Sequence, residues 1–318
     1  MKNKIKSSAA GTGTQMVNAW IFLNEDEPSG TTYNDQNSCY QTLIQNNIYQ
    51  SVDMLYLCFV TTLPTSTTTV PQGNGSFYTI QMGSSSHPDG LTNQDYMNYI
   101  IRDARKNNPK IKIAVTLVWG NGSVISNIFS NQNNTPQQNA DNFAANLMAY
   151  LQYYQLDGFD IDWESPLCDG TTQEQFILLV NAIGAQFQKQ TDKHYYLTIS
   201  PAEINTSDAS CMDPTTINNN VDFMNLQLYF STSIPQELTD AGVNPSLFAY
   251  GALFEANQPV TDPNAPGDQT AQEAYQDNKT NYQFGIFTNW RLNSQNYLFE
   301  QSQQQDLHQL VFPVAVPS

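Results

Sequence analysis

The sequence predicts an α/β fold, a single-domain (β/α)8 TIM barrel, from two observations. Apolar runs of strand length alternate along the chain with longer stretches whose apolar residues recur at helical spacing. The strands are continuously apolar and rich in β-branched and aromatic residues, which is typical of a parallel sheet covered on both faces. Eight strand–helix units fit the 318 residues, because such barrels typically need ~250 and loops can take the surplus.

The predicted strands set the bounds of this barrel. They span residues 17–23, 53–60, 111–119, 156–163, 194–200, 221–229, 246–254 and 282–290. We therefore predict an N-terminal tail over 1–16, the barrel over 17–310 and a C-terminal tail over 311–318. The segments 61–91 and 256–270 are rich in Pro, Gly, Ser and Thr and are predicted to be long loops.

Two helices between these strands have readable starts. Thr135 followed by Pro136 predicts an N-cap with proline at the first helical position. Thr171 and Glu174 have the spacing of a capping box ahead of a second helical pattern. Both helices follow predicted strands, as the barrel requires.

The charge of the chain narrows the class of partner. Only 13% of the residues are charged, and the formal net charge is -17. Nucleic acids and anionic membranes bind through Lys and Arg, which are few here, so we expect neither as a partner. A neutral ligand is favoured, and we expect a monomer without a cofactor. We also expect no metal, because the three histidines (His87, His194 and His308) lie far apart in sequence.

The N-terminus and the overall composition bear on the cellular location of the protein. The start MKNKIKSSAAGTG has basic residues but no apolar segment behind them, so it is not a secretory signal as written. An exported or extracytoplasmic location is nevertheless suspected, because Lys is scarce and Asn and Gln are abundant.

The four cysteines show no CxxC spacing, which argues against a zinc site. Cys58 lies in the apolar run MLYLCFV and is predicted to be a buried free thiol.

The stretch LDGFDIDWES (156–165) places four carboxylates among apolar neighbours. Buried charges are costly unless they are paired or used. Side chains alternate along a strand, so Asp160, Asp162 and Glu164 are predicted to face the barrel interior, with Glu164 outermost. Carboxylates in line raise one another's pKa, which prepares Glu164 to act as a general acid. A purely structural polar network is the less favoured interpretation.

The segment DGFDIDWE resembles the D-x-x-D-x-D-x-E signature of the family 18 glycoside hydrolases, the chitinases and related endo-β-N-acetylglucosaminidases. In that family the motif lies on the fourth strand of a (β/α)8 barrel, as it does among the predicted strands here. The resemblance implies retaining, substrate-assisted hydrolysis of β-1,4 bonds in glycans that contain N-acetylglucosamine, such as chitin. It implies that Glu164 protonates the glycosidic oxygen and that Asp162 orients the attacking acetamido group. Asp160 would lie deeper and share a proton with Asp162.

The segment MNLQLYF (224–230) is similar to the sixth-strand segment of the same family. The resemblance implies that Tyr229 hydrogen-bonds the acetamido group and that Gln227 lines the same pocket, with Asn225 on the same face. Many chitinases have Met-x-Tyr-Asp here, whereas this chain has Gln227 and Phe230. That departure is nearer to plant-type chitinases and endo-glycosidases.

The four tryptophans are predicted to lie at the C-terminal ends of strands, where barrel active sites are built. They are Trp20, Trp119, Trp163 and Trp290. Flat aromatic faces suit the C–H face of a sugar, so we predict that Trp20, Trp119 and Trp290 bind substrate. The family resemblance implies that Trp290 is the floor of the scissile-sugar pocket. Any single Trp could instead be a core residue.

Several alternatives stay open at this point. Cys168 and Cys211 fall in adjacent loops after predicted strands four and five, where a disulfide is left open. An ordinary two-carboxylate glycosidase would use Glu164 as acid and Glu255 as nucleophile. A catalytically silent chitin-binding lectin on the same barrel is a further alternative. The sequence does not distinguish chitin from the chitobiose core of N-glycans, or endo from exo action.

Overall fold

The strands of the protein form one sheet. The computed structural model describes residues 14–23, 31–67, 77–84, 87–118, 123–164, 171–202, 212–229, 232–257 and 261–313. Its strands are β1 (Met16–Phe22), β2 (Met54–Pro64), β3 (Tyr78–Met82), β4 (Lys112–Leu117), β5 (Gly158–Glu164), β6 (Tyr196–Ala202), β7 (Phe223–Leu226), β8 (Phe248–Leu253) and β9 (Ile286–Trp290). Their order is β1-β9-β8-β7-β6-β5-β4-β2-β3, and β1 also pairs with β2.

This order confirms the predicted (β/α)8 barrel. All eight predicted strands are present, and the eight parallel strands close on themselves. The sheet begins at Met16 and the last described helix ends at Val311. The bounds of the two tails stay a prediction.

Helices connect the strands as the fold requires. Among the described residues they are α1 (Cys39–Gln45), α2 (Asn93–Asn107), α3 (Ser123–Ser126), α4 (Pro136–Tyr153), α5 (Gln173–Gln188), α6 (Pro214–Asn220), α7 (Ile234–Ala241), α8 (Ala271–Asp277) and α9 (Tyr297–Val311). None of these helices is both long enough and apolar enough to cross a membrane.

The helix starts agree with the sequence in one case and differ in the other. Thr135 caps α4 and forms a capping box with Gln138, with Pro136 at the start as predicted. The cap of α5 is Thr172 with Gln175, so the predicted pair Thr171 and Glu174 is wrong by one residue. Two adjacent threonines, each with a suitable acceptor three residues later, make this position ambiguous in the sequence.

A strand lies within the segment that was predicted to be the loop 61–91. Strand β3 pairs antiparallel with the end of β2, with Val60 opposite Met82 and Pro64 opposite Tyr78. The prediction missed it because β3 is only five residues long and lies next to a run of Thr, Ser and Gly. Cys58 in β2 is fully buried and has a free thiol, as predicted.

The described chain divides into two compact units. One contains the described residues up to Leu57, Ser84–Ile113 and the described residues from Ala249 onward. In it β9 pairs in parallel with β1 and with β8, so that Thr288 lies opposite Asn18 on one side and Gly251 on the other.

The other unit comprises Cys58–Gly83 and Ala114–Phe248. Within it β6 pairs in parallel with β5 and with β7. The register places Thr198 opposite Asp160 and Ser200 opposite Asp162. This register positions the acidic row of β5 beside the hydroxyl groups of β6.

Candidate active site

Strand β5 carries its acidic row on one face. Asp160 is fully buried, whereas Asp162 and Glu164 are half-buried. The opposite face packs on helix α5, where the indole of Trp163 meets the ring of Phe176 edge-on with centroids 4.7 Å apart. The side chains therefore alternate between the two faces, and Trp163 is a core residue.

Hydroxyl groups of β6 hold the carboxyl group of Asp160. Thr198 donates to Asp160 Oδ1 over 2.6 Å, and Ser200 Oγ lies 2.9 Å from Oδ1 and 3.0 Å from Oδ2. Thr116 and Asn225 also hydrogen-bond to this carboxyl group. Burial raises the pKa of Asp160 to about 6, and the hydrogen bonds oppose that rise. Asp160 is therefore mostly ionised at neutral pH.

Gln227 joins the two outer carboxyl groups. Its Nε2 lies 3.1 Å from Asp162 Oδ1 and 3.2 Å from Glu164 Oε1. Burial raises the pKa of Asp162 well above its usual value, and the nearby charges of Glu164 and Asp160 raise it further. Burial and the neighbouring carboxyl groups therefore both oppose the ionisation of Asp162.

The other predicted residues of the sixth-strand segment lie in the same network. Tyr229 donates its hydroxyl hydrogen to Gln227 Oε1 over 2.8 Å. Asn225 is 1% exposed, and its Nδ2 donates to Ser200 Oγ over 3.1 Å. The structure therefore brings Asn225, Gln227 and Tyr229 to the acidic row. Asn225 lies behind the row, against the donors of Asp160.

The family resemblance implied that Asp160 and Asp162 share a proton. In the described part of the chain no direct hydrogen bond joins these two carboxyl groups. Asp160 accepts from Thr198 and Ser200, and Asp162 from Gln227. Thr198 and Ser200 are partners of Asp160 that were not predicted from the sequence. Their signal is a pair of hydroxyl residues at alternate positions of the apolar run YLTIS, with the same period as the acidic row.

Two of the predicted sugar-binding tryptophans meet in an aromatic cluster of the unit that contains β1 and β9. Trp20 stacks on Tyr56 with ring centroids 4.7 Å apart, and Trp290 lies 6.3 Å from Trp20 and 5.9 Å from Phe22. Trp20 is buried and Trp290 is half-buried, so Trp290 offers the larger free surface. The guanidinium of Arg291 lies 5.1 Å from the ring of Phe22 and 5.8 Å from that of Trp290.

A buried charge network that the sequence did not predict lies beside this cluster. Arg291 Nη2 lies 3.2 Å from Glu255 Oε1, and Arg291 is 4% exposed. Glu300 is fully buried, and burial raises its pKa to about 8. Its carboxyl group contacts the hydroxyl of Ser294 and accepts from the Ser294 backbone N–H over 3.1 Å.

Some predictions lie outside the described residues. They concern Trp119 and the cysteine pair Cys168 and Cys211. Within the described ranges, no group of three or more His, Cys, Asp or Glu side chains is arranged to hold a metal ion.

A family model matches most of the chain. Residues 31–306 match the model described as glycosyl hydrolases family 18. No curated protein matches the chain significantly.

Several solved structures share the fold at low sequence identity. The chitinase-like agglutinin RobpsCRA from Robinia pseudoacacia has a TM-score of 0.61 and 14% identity, over 92% of this chain and 99% of that one. Human YKL-39, described as a pseudo-chitinase with retained chitooligosaccharide binding, has a TM-score of 0.60 and 11% identity, over 94% and 99% of the two chains. A class V chitinase mutant from Cycas revoluta in complex with (GlcNAc)3 has a TM-score of 0.60 and 12% identity, over 92% and 99%.

Proposed function

The chain belongs to the glycosyl hydrolases of family 18, and on that premise we propose that it is a retaining hydrolase of glycans containing N-acetylglucosamine. The bond that it cleaves is the β-1,4 linkage of chitin or chito-oligosaccharides. The observation that carries the proposal is the row of Asp160, Asp162 and Glu164 on one face of β5, with the half-buried Glu164 last in line.

The proposed reaction has two steps. In the first, Glu164 donates its proton to the glycosidic oxygen while the 2-acetamido oxygen of the substrate attacks the anomeric carbon, so the sugar–oxygen bond breaks and an oxazolinium ion forms. Asp162 orients the acetamido group and stabilises the positive charge of this ion. In the second step, Glu164 accepts a proton from a water molecule that opens the oxazolinium ring, and the original configuration is restored.

The electrostatics of the row support these roles. The ionised Asp160 places a negative charge behind the outer carboxyl groups, which favours a developing cation at the anomeric centre. The acetamido N–H of the substrate donates a hydrogen bond to the carboxyl group of Asp162 in this scheme, which leaves the acetamido oxygen free to attack. The relative described with retained chitooligosaccharide binding and the one in complex with (GlcNAc)3 support the same substrate class.

A two-carboxylate mechanism through Glu255 is less well supported. Glu255 forms an ion pair with Arg291, which favours a role for its carboxylate in the charge network of that unit. Inhibition by an N-acetylglucosamine thiazoline would support participation of the acetamido group. A covalent glycosyl adduct trapped on Glu255 would refute participation of the acetamido group and support the two-carboxylate mechanism.

The proposal is tested by a mass-spectrometric time course on the N-acetylglucosamine tetramer. Wild type is compared with Glu164→Gln and with the control Glu174→Gln, which removes an exposed carboxylate at the start of α5. We expect wild type and control to release shorter oligomers and Glu164→Gln to be slower by about 100-fold or more.

A second substrate separates the alternatives. Cleavage of an N-glycopeptide, but not of the tetramer, would place the activity on the chitobiose core. Binding of the tetramer without cleavage of either substrate at any pH would refute hydrolysis and support a lectin, the class of the Robinia relative.

A further inference from the structure

We propose that Gln227 is a positioning residue whose side-chain amide holds the carboxyl groups of Asp162 and Glu164 next to each other. This inference rests on the proposed function, because it assigns a role within the same reaction. It differs from the role that the family resemblance implies, which is lining the substrate pocket.

The first argument is the geometry of one nitrogen atom. Gln227 Nε2 lies 3.1 Å from Asp162 Oδ1, 3.2 Å from Glu164 Oε1 and 3.2 Å from the backbone oxygen of Ser200. Its two hydrogens therefore have three acceptors, two of which belong to the acidic row. A side chain that is 6% exposed and already bonded in this way has little donor capacity left for a sugar.

The second argument is that the orientation of the amide is fixed. Tyr229 donates to Gln227 Oε1 over 2.8 Å. If the amide were turned over, its oxygen would face the oxygens of Asp162 and Glu164 and the backbone oxygen of Ser200. These acceptors therefore select the orientation, and Tyr229 stabilises it by donating to Oε1.

The third argument is that the side-chain amides of Asn225 and Gln227 serve different members of the acidic row. Asn225 donates to Ser200 Oγ, which in turn donates to Asp160. Gln227 serves the outer pair instead. The backbone N–H of Gln227 donates to the oxygen of Pro201 over 3.0 Å, which fixes the height of the amide along β6.

The consequence is that the outer carboxyl groups face each other across one shared donor. The amide nitrogen donates toward one oxygen of each carboxyl group. Such donation favours the ionised form of each carboxyl group and reduces the repulsion between the two. Among the described residues, the titratable groups bonded to this amide are Asp162 and Glu164 from β5 and Tyr229 from its own segment, with Asp160 deeper on the same strand face. Without the amide, Asp162 loses the contact that turns it toward Glu164.

Two substitutions test the role. Gln227→Met removes both donors but keeps the volume, and Tyr229→Phe leaves the amide in place without its anchor. The matched control is Gln236→Met, because the amide of Gln236 also donates to a carboxylate, that of Asp240 over 2.6 Å, but on the exposed surface of α7.

The measurements are the pH profile of tetramer cleavage and a 13C NMR titration of the Asp and Glu carboxyl carbons. For Gln227→Met we expect kcat to fall by about 10- to 100-fold, the loss typical of a hydrogen bond to a charged group. KM should change little, and the pKa of Asp162 should rise above its wild-type value. Tyr229→Phe should shift that pKa in the same direction by less, and Gln236→Met should change neither quantity.

Two results would overturn the proposal. One is an unchanged Asp162 pKa in both Gln227→Met and Tyr229→Phe. The other is a Gln227→Met variant with raised KM and wild-type kcat, which would make Gln227 a substrate contact. The NMR titration needs no turnover, so a wild type that cleaves nothing refutes the proposed function while the titration still decides the role of Gln227.

Discussion

Thr198 on β6 donates its hydroxyl hydrogen to Asp160 on β5 over 2.6 Å, and neither residue is more than 1% exposed. The donor and the acceptor lie directly opposite each other in the parallel register of the two strands. Within the described part of the chain the hydrogen bonds to Asp160 come from neutral side chains, so this buried carboxylate is stabilised without a cation. The ionisation of Asp160 depends on this donor, and the dependence can be measured.

Thr198→Val is expected to raise the pKa of Asp160 above about 6. The variant keeps the shape of the side chain but removes a hydrogen bond to a charged group, worth ~1.5–3 kcal/mol, which corresponds to about 1–2 pKa units. A 13C NMR titration of the Asp160 carboxyl carbon measures the change. Thr239→Val is the control, because Thr239 donates to the backbone oxygen of Pro235 within α7. An Asp160 pKa that does not move would contradict the assignment.

Asp160→Asn is expected to flatten the pH dependence of stability. The folded-state pKa of about 6 lies above the ordinary value of 3.8, so the folded protein binds this proton more tightly than the unfolded chain does. Wild type should therefore lose about 3 kcal/mol of stability from this group as pH rises from about 4 to above 6. The variant should lack that loss. Urea unfolding at several pH values measures it, and parallel curves for the two proteins would refute the expectation.

Glu300→Gln tests the buried charge network. The pKa of about 8 means that Glu300 is mostly protonated at neutral pH, so a neutral amide is a close substitute. Since the ordinary value is 4.5, wild type should lose stability relative to the variant by roughly 1.4 kcal/mol per pH unit between about pH 5 and 8. Thermal unfolding across this range measures the difference. A stability difference that stays constant across this range would show that Glu300 is already ionised there.

Gly158→Ala tests the close approach of β5 and β6. A Cβ atom at Gly158 would lie 2.7 Å from the backbone oxygen of Tyr196, which cannot move without shifting the strand. We expect a loss of ~1–3 kcal/mol in the free energy of unfolding, as for other overpacked sites. Activity should fall as well, because Asp160 is two residues further along β5. Chemical unfolding and the tetramer assay measure the two effects, and wild-type values in both would contradict the register.

The barrel could be predicted because buried parallel strands are largely apolar runs of strand length, and such runs recur along the chain between helical patterns. Strand β3 escaped prediction because YTIQM is short and pairs only with the end of β2. The cap of α5 was placed one residue early because Thr171 and Thr172 satisfy the same pattern. Local sequence rules do not decide between neighbours that fit equally well.

The acidic row could also be predicted from a local pattern, since strand alternation alone places Asp160, Asp162 and Glu164 on one face. The hydrogen-bond partners of the row could not be predicted in this way. Recognising Thr198 as a donor needs the register of β6 against β5, and the role of Gln227 needs the direction of one amide. Both are set by tertiary contacts between residues far apart in the sequence.

The donors that govern Asp160 belong to strands and not to the loops that follow them. Because strand register sets these bonds, the ionisation of Asp160 is inherited with the framework and does not depend on the loops. Exchanging the loops for those of a relative would therefore leave the ionisation of Asp160 as it is. The loops and the buried end of the acidic row are separately adjustable in this protein.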